Sequence, residues 1–147
     1  MIGWLVSALG MFGLSYLWHG VFLNDYKRIN FPFGMYMLMA AVTYLVIGLV
    51  LSRAFIVKYF DRISRHPLLR GPAIGLFCGI IVFVIATTVQ ITNPGEYGSI
   101  VTFNTGYDPK FFLLDLMWQG LEQSAGGFLV GLVYMFVFEP MPLREED

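Results

Sequence analysis

Uncharged, apolar residues run from Met1 to Asn24, from Ile29 to Ser52 and from Gly71 to Gly95, and a fourth run, Phe111 to Phe138, is broken only by Asp115 and Glu122. A bilayer-crossing helix needs about 20 residues at ~1.5 Å each. All four runs are long enough, and no other apolar run is left over. The alternation of a membrane β-strand is absent, and backbone groups in lipid must be satisfied within the segment, which leaves helices. Pro32, Pro72 and Pro109 sit where helices would begin, Asp108 is placed to cap the fourth, and Pro140 and Pro142 end it. The pattern predicts helices near 2–23, 33–57, 73–92 and 109–138, in one transmembrane domain spanning 1–147.

Composition sharpens this. Hydrophobic residues make up 57% of the chain and charged residues 13%, against about 25% charge in a soluble domain. A soluble domain and a disordered tail are thereby excluded. Nine Lys+Arg against ten Asp+Glu give a net charge of −1, so no basic field attracts nucleic acid. The fold class expected is an all-α integral membrane protein, a four-helix transmembrane bundle. The first run lacks a basic leader and an A-x-A site and is too long for a signal peptide, so it reads as a retained helix.

Lys and Arg set the expected orientation. Arg53, Lys58, Arg62, Arg65 and Arg70 fall between helices two and three, with Arg144 in the tail, against Lys27, Arg28 and Lys110 on the other side. This bias places both termini in the cytoplasm. The outer loop from Thr92 to Lys110 carries turn signals around Ser99–Phe103, which reads as a short strand.

Two stripes of small residues stand out. Gly71, Gly75 and Gly79 recur every four residues on helix three, and Gly120, Ser124, Gly127 and Gly131 line one side of helix four. Such stripes let backbones approach closely, whether within one chain or between chains. Gly3, Gly10 and Gly13 give helix one a weaker small face. Met35, Met37 and Met39 do not share one face, so they read as apolar filler and not as a copper site. The lone Cys78 lies in an apolar run and reads as a small packing residue.

Charge inside a span is costly and marks a site by default. Asp115, Gln119 and Glu122 fall within about 60° of one another on helix four, and Gly126 continues that stripe. Glu122 lies about 20 Å along the helix, near the midplane, and Asp115 about 9 Å along it. His19 on helix one, Gln90 on helix three and Tyr36 on helix two add polar groups to the same half of the membrane. The expected cluster is His19, Asp115 and Gln119, with Glu122 beneath it. Ser15 shares the face of His19, while Trp4, Met11, Trp18 and Phe22 are assigned to lipid. The cluster reads as interhelical hydrogen bonding, as a proton or ion path, or as a ligand pocket.

Specific chemistries fail on spacing. No H-E-x-x-H, P-loop, G-x-G-x-x-G or C-x-x-C is present, and no activated nucleophile is identifiable. His66 lies in the basic connection and cannot join His19 as a haem ligand. No metal site or particular cofactor is indicated.

The stretch Phe12–Gly20, followed by Asn24-Asp25-Tyr26, resembles the first helix of an uncharacterised family of small four-helix bacterial inner-membrane proteins, though His19 stands where an aromatic is usual. The resemblance implies residence in the bacterial inner membrane.

The function expected is a non-enzymatic subunit or accessory partner of a membrane complex. Its partners would be the bilayer and either other membrane subunits or further copies of itself. The alternatives are a small proton- or ion-coupled transporter or channel, and a lipid-, quinone- or cofactor-binding membrane protein.

Overall fold

The computed structural model describes residues 2–24, 26, 32–92 and 109–138. The Ser99–Phe103 strand, the Asp108 cap, the tail with Arg144, and the side chain of Gln90 lie outside the described residues. Four helices are long and apolar enough to cross a membrane, and no strand occurs among the described residues.

Helix α1 (Gly3–Ser15) continues without a break into a π-helical segment (Tyr16–Phe22). Asn24 follows with φ 55°, a left-handed conformation that asparagine tolerates at a helix end. Helix α2 spans Phe33–Phe55, a short 3-10 turn follows at Lys58–Arg62, and α3 spans Pro67–Thr92. Helix α4 spans Pro109–Phe138.

The third helix begins six residues earlier than the sequence pattern suggested. Pro67, not Pro72, holds the first helical position, where its missing N–H is no loss. The amides of Leu69 and Arg70 bond the carbonyl of His66 at 3.1 and 3.0 Å, and the His66 amide bonds Ser64 Oγ at 3.1 Å. Pro72 is carried inside the helix. Arg70 therefore belongs to α3 and not to the connecting loop, and it is only 8% exposed. Its guanidinium lies 4.1 Å from the Phe55 ring centroid and 5.8 Å from that of Tyr134. Cation–π contact and stem burial together let an arginine sit inside a bundle end.

Helix α4 is the hub. It packs extensively on α3, substantially on α1 and lightly on α2, while α1 also packs on α2. Gly3 sits against Val133, and Gly131 against the Pro67 carbonyl. The start of α1, the start of α3 and the end of α4 therefore share one end of the bundle, together with Phe55. Arg53, Arg62, Arg65 and Arg70 are there too, so we call it the basic end. At the other, aromatic end, Tyr26 packs on Tyr16, Phe33 and Tyr36 with centroids 5.5–5.7 Å apart.

The α3–α4 contact is a glycine seam. A Cβ on Gly71 would strike the Gly127 carbonyl, one on Gly75 the Gln123 carbonyl, and one on Gly79 would lie 2.9 Å from the Gln119 oxygen. Each step of four along α3 is matched by a step of four back along α4, ending with Pro67 against Gly131. The helices are thus antiparallel and in backbone contact, where Cα–H···O contacts and dispersion replace side-chain interdigitation. Gly120 meets only the tip of Leu76, and Ser124 lies beside Gly75.

The residues assigned to lipid on α1 are corrected. Met11 is 0% exposed, and Trp18 is partly buried in a stack on Trp118; of the four, Phe22 fits the assignment well, at 73% exposed. Leu5, Leu9, Leu17 and Val21 make up the outer face instead. Large apolar residues lie on every side of the helix, so bulk gave no guide to orientation. The small side chains of Ser7 and Ala8, which admit α4 and α2, decided it.

Candidate functional site

Consecutive glycines give α4 two buried faces. Gly127 meets α3, whereas a Cβ on Gly126 would strike Met11 Sδ and lie 3.0 Å from Ser7 Oγ on α1. Trp118, Glu122 and Gly126 recur every four residues on this second face. Opposite them α1 presents Ser7, Met11 and Ser15, also at spacings of four. These two stripes therefore face each other between α1 and α4, with Tyr44 of α2 beside them.

Glu122 lies on this interface and is 1% exposed. The Tyr44 hydroxyl lies within hydrogen-bonding reach of its carboxyl, and the Ser15 hydroxyl lies within reach of Tyr44. Ser15, Tyr44 and Glu122 thus connect α1, α2 and α4 through polar groups. Trp118 also faces the carboxyl, and both Trp118 Nε1 and Glu122 Oε1 are buried. Ser7 Oγ, one turn toward the basic end, is buried without a partner. A buried polar atom without a partner costs on the order of 1–3 kcal/mol in a dry interior, which makes this polar cluster a candidate site.

The wall toward the aromatic end is indole. Trp18 and Trp118 stack with centroids 4.3 Å apart and planes 12° from parallel. Trp18 belongs to the π-helical segment, in which the Leu23 amide bonds the Trp18 carbonyl at 2.9 Å, five residues back. Such segments are rare and concentrate at functional sites. Phe12 meets the Tyr44 ring edge-on at 6.1 Å.

The residues singled out from sequence distribute as follows. Glu122 is buried in the bundle. His19 is in the π-helical segment and half-buried, four residues from Ser15. Gln119 is half-buried, with its backbone oxygen in the glycine seam. Asp115 is on an exposed face of α4. The polar stripe of α4 is therefore exposed at Asp115 and sealed at Glu122. Thr88 turns its hydroxyl back to the Val84 carbonyl at 2.7 Å, as Thr43 does to Met39 at 2.9 Å. Among the described residues no group of three His, Cys, Asp or Glu is placed to hold a metal ion.

Tyr44, Trp118, Ser7 and Gln123 were not singled out. The spacing of four that links Trp118 to Glu122 and Ser7 to Ser15 was the available signal. Gln123 is 0% exposed, and neither of its amide atoms has a partner. It lies against Gly79 on α3. Replacing both unpaired atoms with apolar ones of similar shape removes a desolvation penalty. Gln123→Met is expected to stabilise the protein by about 1 kcal/mol, read as a shift in the midpoint of SDS-induced unfolding. A loss of stability would show that the amide is held by a bond it needs.

No protein family matches the chain, and neither does any curated protein or solved structure.

Proposed function

We propose that this is a multi-pass protein of the bacterial inner membrane that takes up and releases a proton at Glu122, acting as a small proton- or ion-coupled transporter or channel. One observation carries the reading: a carboxyl at mid-depth of the central helix, sealed from solvent and joined through Tyr44 to Ser15. Intramembrane carboxyls linked to hydroxyl groups are the usual elements of proton relays. Ser15 is one turn from His19, which directs the relay to the aromatic end.

The rival reading, an accessory subunit of a larger complex, rests on the small size of the chain, its lack of soluble mass and its two small-residue stripes. Both stripes face each other within this chain, so they do not call for another protein. The exposed leucines, valines and phenylalanines around the bundle suit lipid or a second copy.

The test is proton uptake into proteoliposomes under an imposed potential, followed with an internal pH dye. Wild type is expected to acidify the lumen, and Glu122→Gln to lose that flux.

We further propose that the basic end is cytoplasmic, with both termini there, because Arg53, Arg62, Arg65 and Arg70 gather at it. On a Cys78→Ala background, Arg65→Cys should react with a membrane-impermeant maleimide only after cells are opened. Labelling of intact cells would invert the topology.

A further inference from the structure

Residues 56–66 join the ends of two helices that are each long and apolar enough to cross a membrane. In a bilayer this connection comes to the headgroup layer. It is folded and not slack: the amides of Val57, Phe60 and Ile63 bond the carbonyls of Ala54, Val57 and Phe60, each at 3.1 Å. Phe60 packs against the buried core that includes Leu51 and Phe55, which pins the connection to the bundle end. Its neighbour Tyr59 turns outward and is 69% exposed, with the two rings edge-on at 5.7 Å. Ile56, Val57 and Ile63 are exposed beside it.

Basic side chains share this surface. Arg53, in the last turn of α2, and Arg62 and Arg65 are all exposed, and the Arg62 guanidinium lies 5.8 Å from the Tyr59 ring centroid. Arg70 is turned inward onto Phe55 and Tyr134 and belongs to the bundle. Over residues 53–70 the sequence has five Lys and Arg against one acid, Asp61. Water would leave the apolar side chains uncovered, and hydrocarbon would strand the arginines. The headgroup layer meets both demands: aromatic and aliphatic groups take its inner edge, while the guanidinium fork reaches phosphate oxygens. The net positive charge then favours lipid of net negative charge over zwitterionic lipid, whose own ammonium offsets its phosphate.

We propose that the connection between α2 and α3 is a docking surface for anionic phospholipid, with Arg53, Arg62 and Arg65 pairing with the headgroup and Ile56, Val57, Tyr59 and Ile63 seated at the acyl boundary beneath it. The contact is noncovalent. It depends neither on the proton-handling reading of Glu122 nor on which face of the membrane the basic end occupies.

The test is a lipid titration of the full chain in detergent, read by native mass spectrometry. Dioleoyl phosphatidylglycerol and dioleoyl phosphatidylcholine, which share acyl chains and differ in net charge, would be added separately. Wild type is expected to bind phosphatidylglycerol roughly 10-fold more tightly. Arg62→Gln and Arg65→Gln should each weaken that binding by roughly fivefold and leave phosphatidylcholine binding little changed. Ile56→Ser combined with Ile63→Ser should weaken both lipids, because it removes the apolar contact they share. Arg28→Gln, which the sequence places between α1 and α2, should leave the preference intact. Equal affinity of wild type for the two lipids would overturn the proposal without any variant. So would a preference that survives the Arg62→Gln, Arg65→Gln double substitution. A preference that Arg28→Gln reduces as strongly would overturn it as well, since charge would then act without a site.

Discussion

Gly75→Ala is expected to destabilise the bundle severely, by about 3 kcal/mol, although it adds one methyl group. The new carbon would land on the Gln123 carbonyl and within 2.8 Å of the Ser124 Cα, both backbone atoms of α4. No rotamer change relieves a clash with backbone. The two helices must move apart, and Gly71 and Gly79 lose their close approach with them. Leu76→Phe is the matched control: Leu76 is half-exposed on the same helix, so the larger ring should shift stability by only about 0.5 kcal/mol. SDS-induced unfolding followed by circular dichroism separates the two. Equal midpoints would mean that the seam does not hold α3 on α4.

The second large effect divides function from fold. Glu122→Gln keeps the shape of the side chain and an oxygen for Tyr44, so the unfolding midpoint should stay close to wild type. Proton flux in proteoliposomes should be lost, because an amide does not titrate near neutral pH. Glu122→Leu differs in the other direction. It removes the acceptor beside Tyr44, inside a bundle where interhelical hydrogen bonds contribute ~0.6–2 kcal/mol, and a loss of that size is expected. A glutamine variant that moves protons like wild type would reduce the carboxyl to a structural hydrogen-bonding group.

Four apolar runs separated by Pro and basic residues made the helices legible, because the bilayer's length requirement leaves little choice. The recurrence of Gly71, Gly75 and Gly79 made the small face of α3 legible too, but not its partner. The facing carbonyls belong to Gly127, Gln123 and Gln119, and a carbonyl leaves no mark in a sequence. The start of α3 was misread because Arg70 looked like a loop residue. Phe55 and Tyr134, which pack on its guanidinium, are 15 and 64 residues away in the chain. Glu122 was visible as a charge in a span, whereas Tyr44 and Trp118 looked like ordinary aromatics of a membrane helix. The π-helical segment had no local sequence signature at all.

The seam between α3 and α4 also decides which parts of the molecule can shift. Its notches and carbonyls repeat once per helical turn, so sliding one helix along the other by less than a turn, about 5.4 Å, drives carbonyl oxygens onto neighbouring Cα atoms. The pair has detents, like a rack, and behaves as a single beam. Helices α1 and α2 hold to that beam largely through pliable side chains such as Met11, Leu129 and Tyr44. Glu122 stands on the beam, facing the looser pair. The carboxyl therefore sits where the rigid pair meets the part of the bundle that side chains, and not backbone, hold in place.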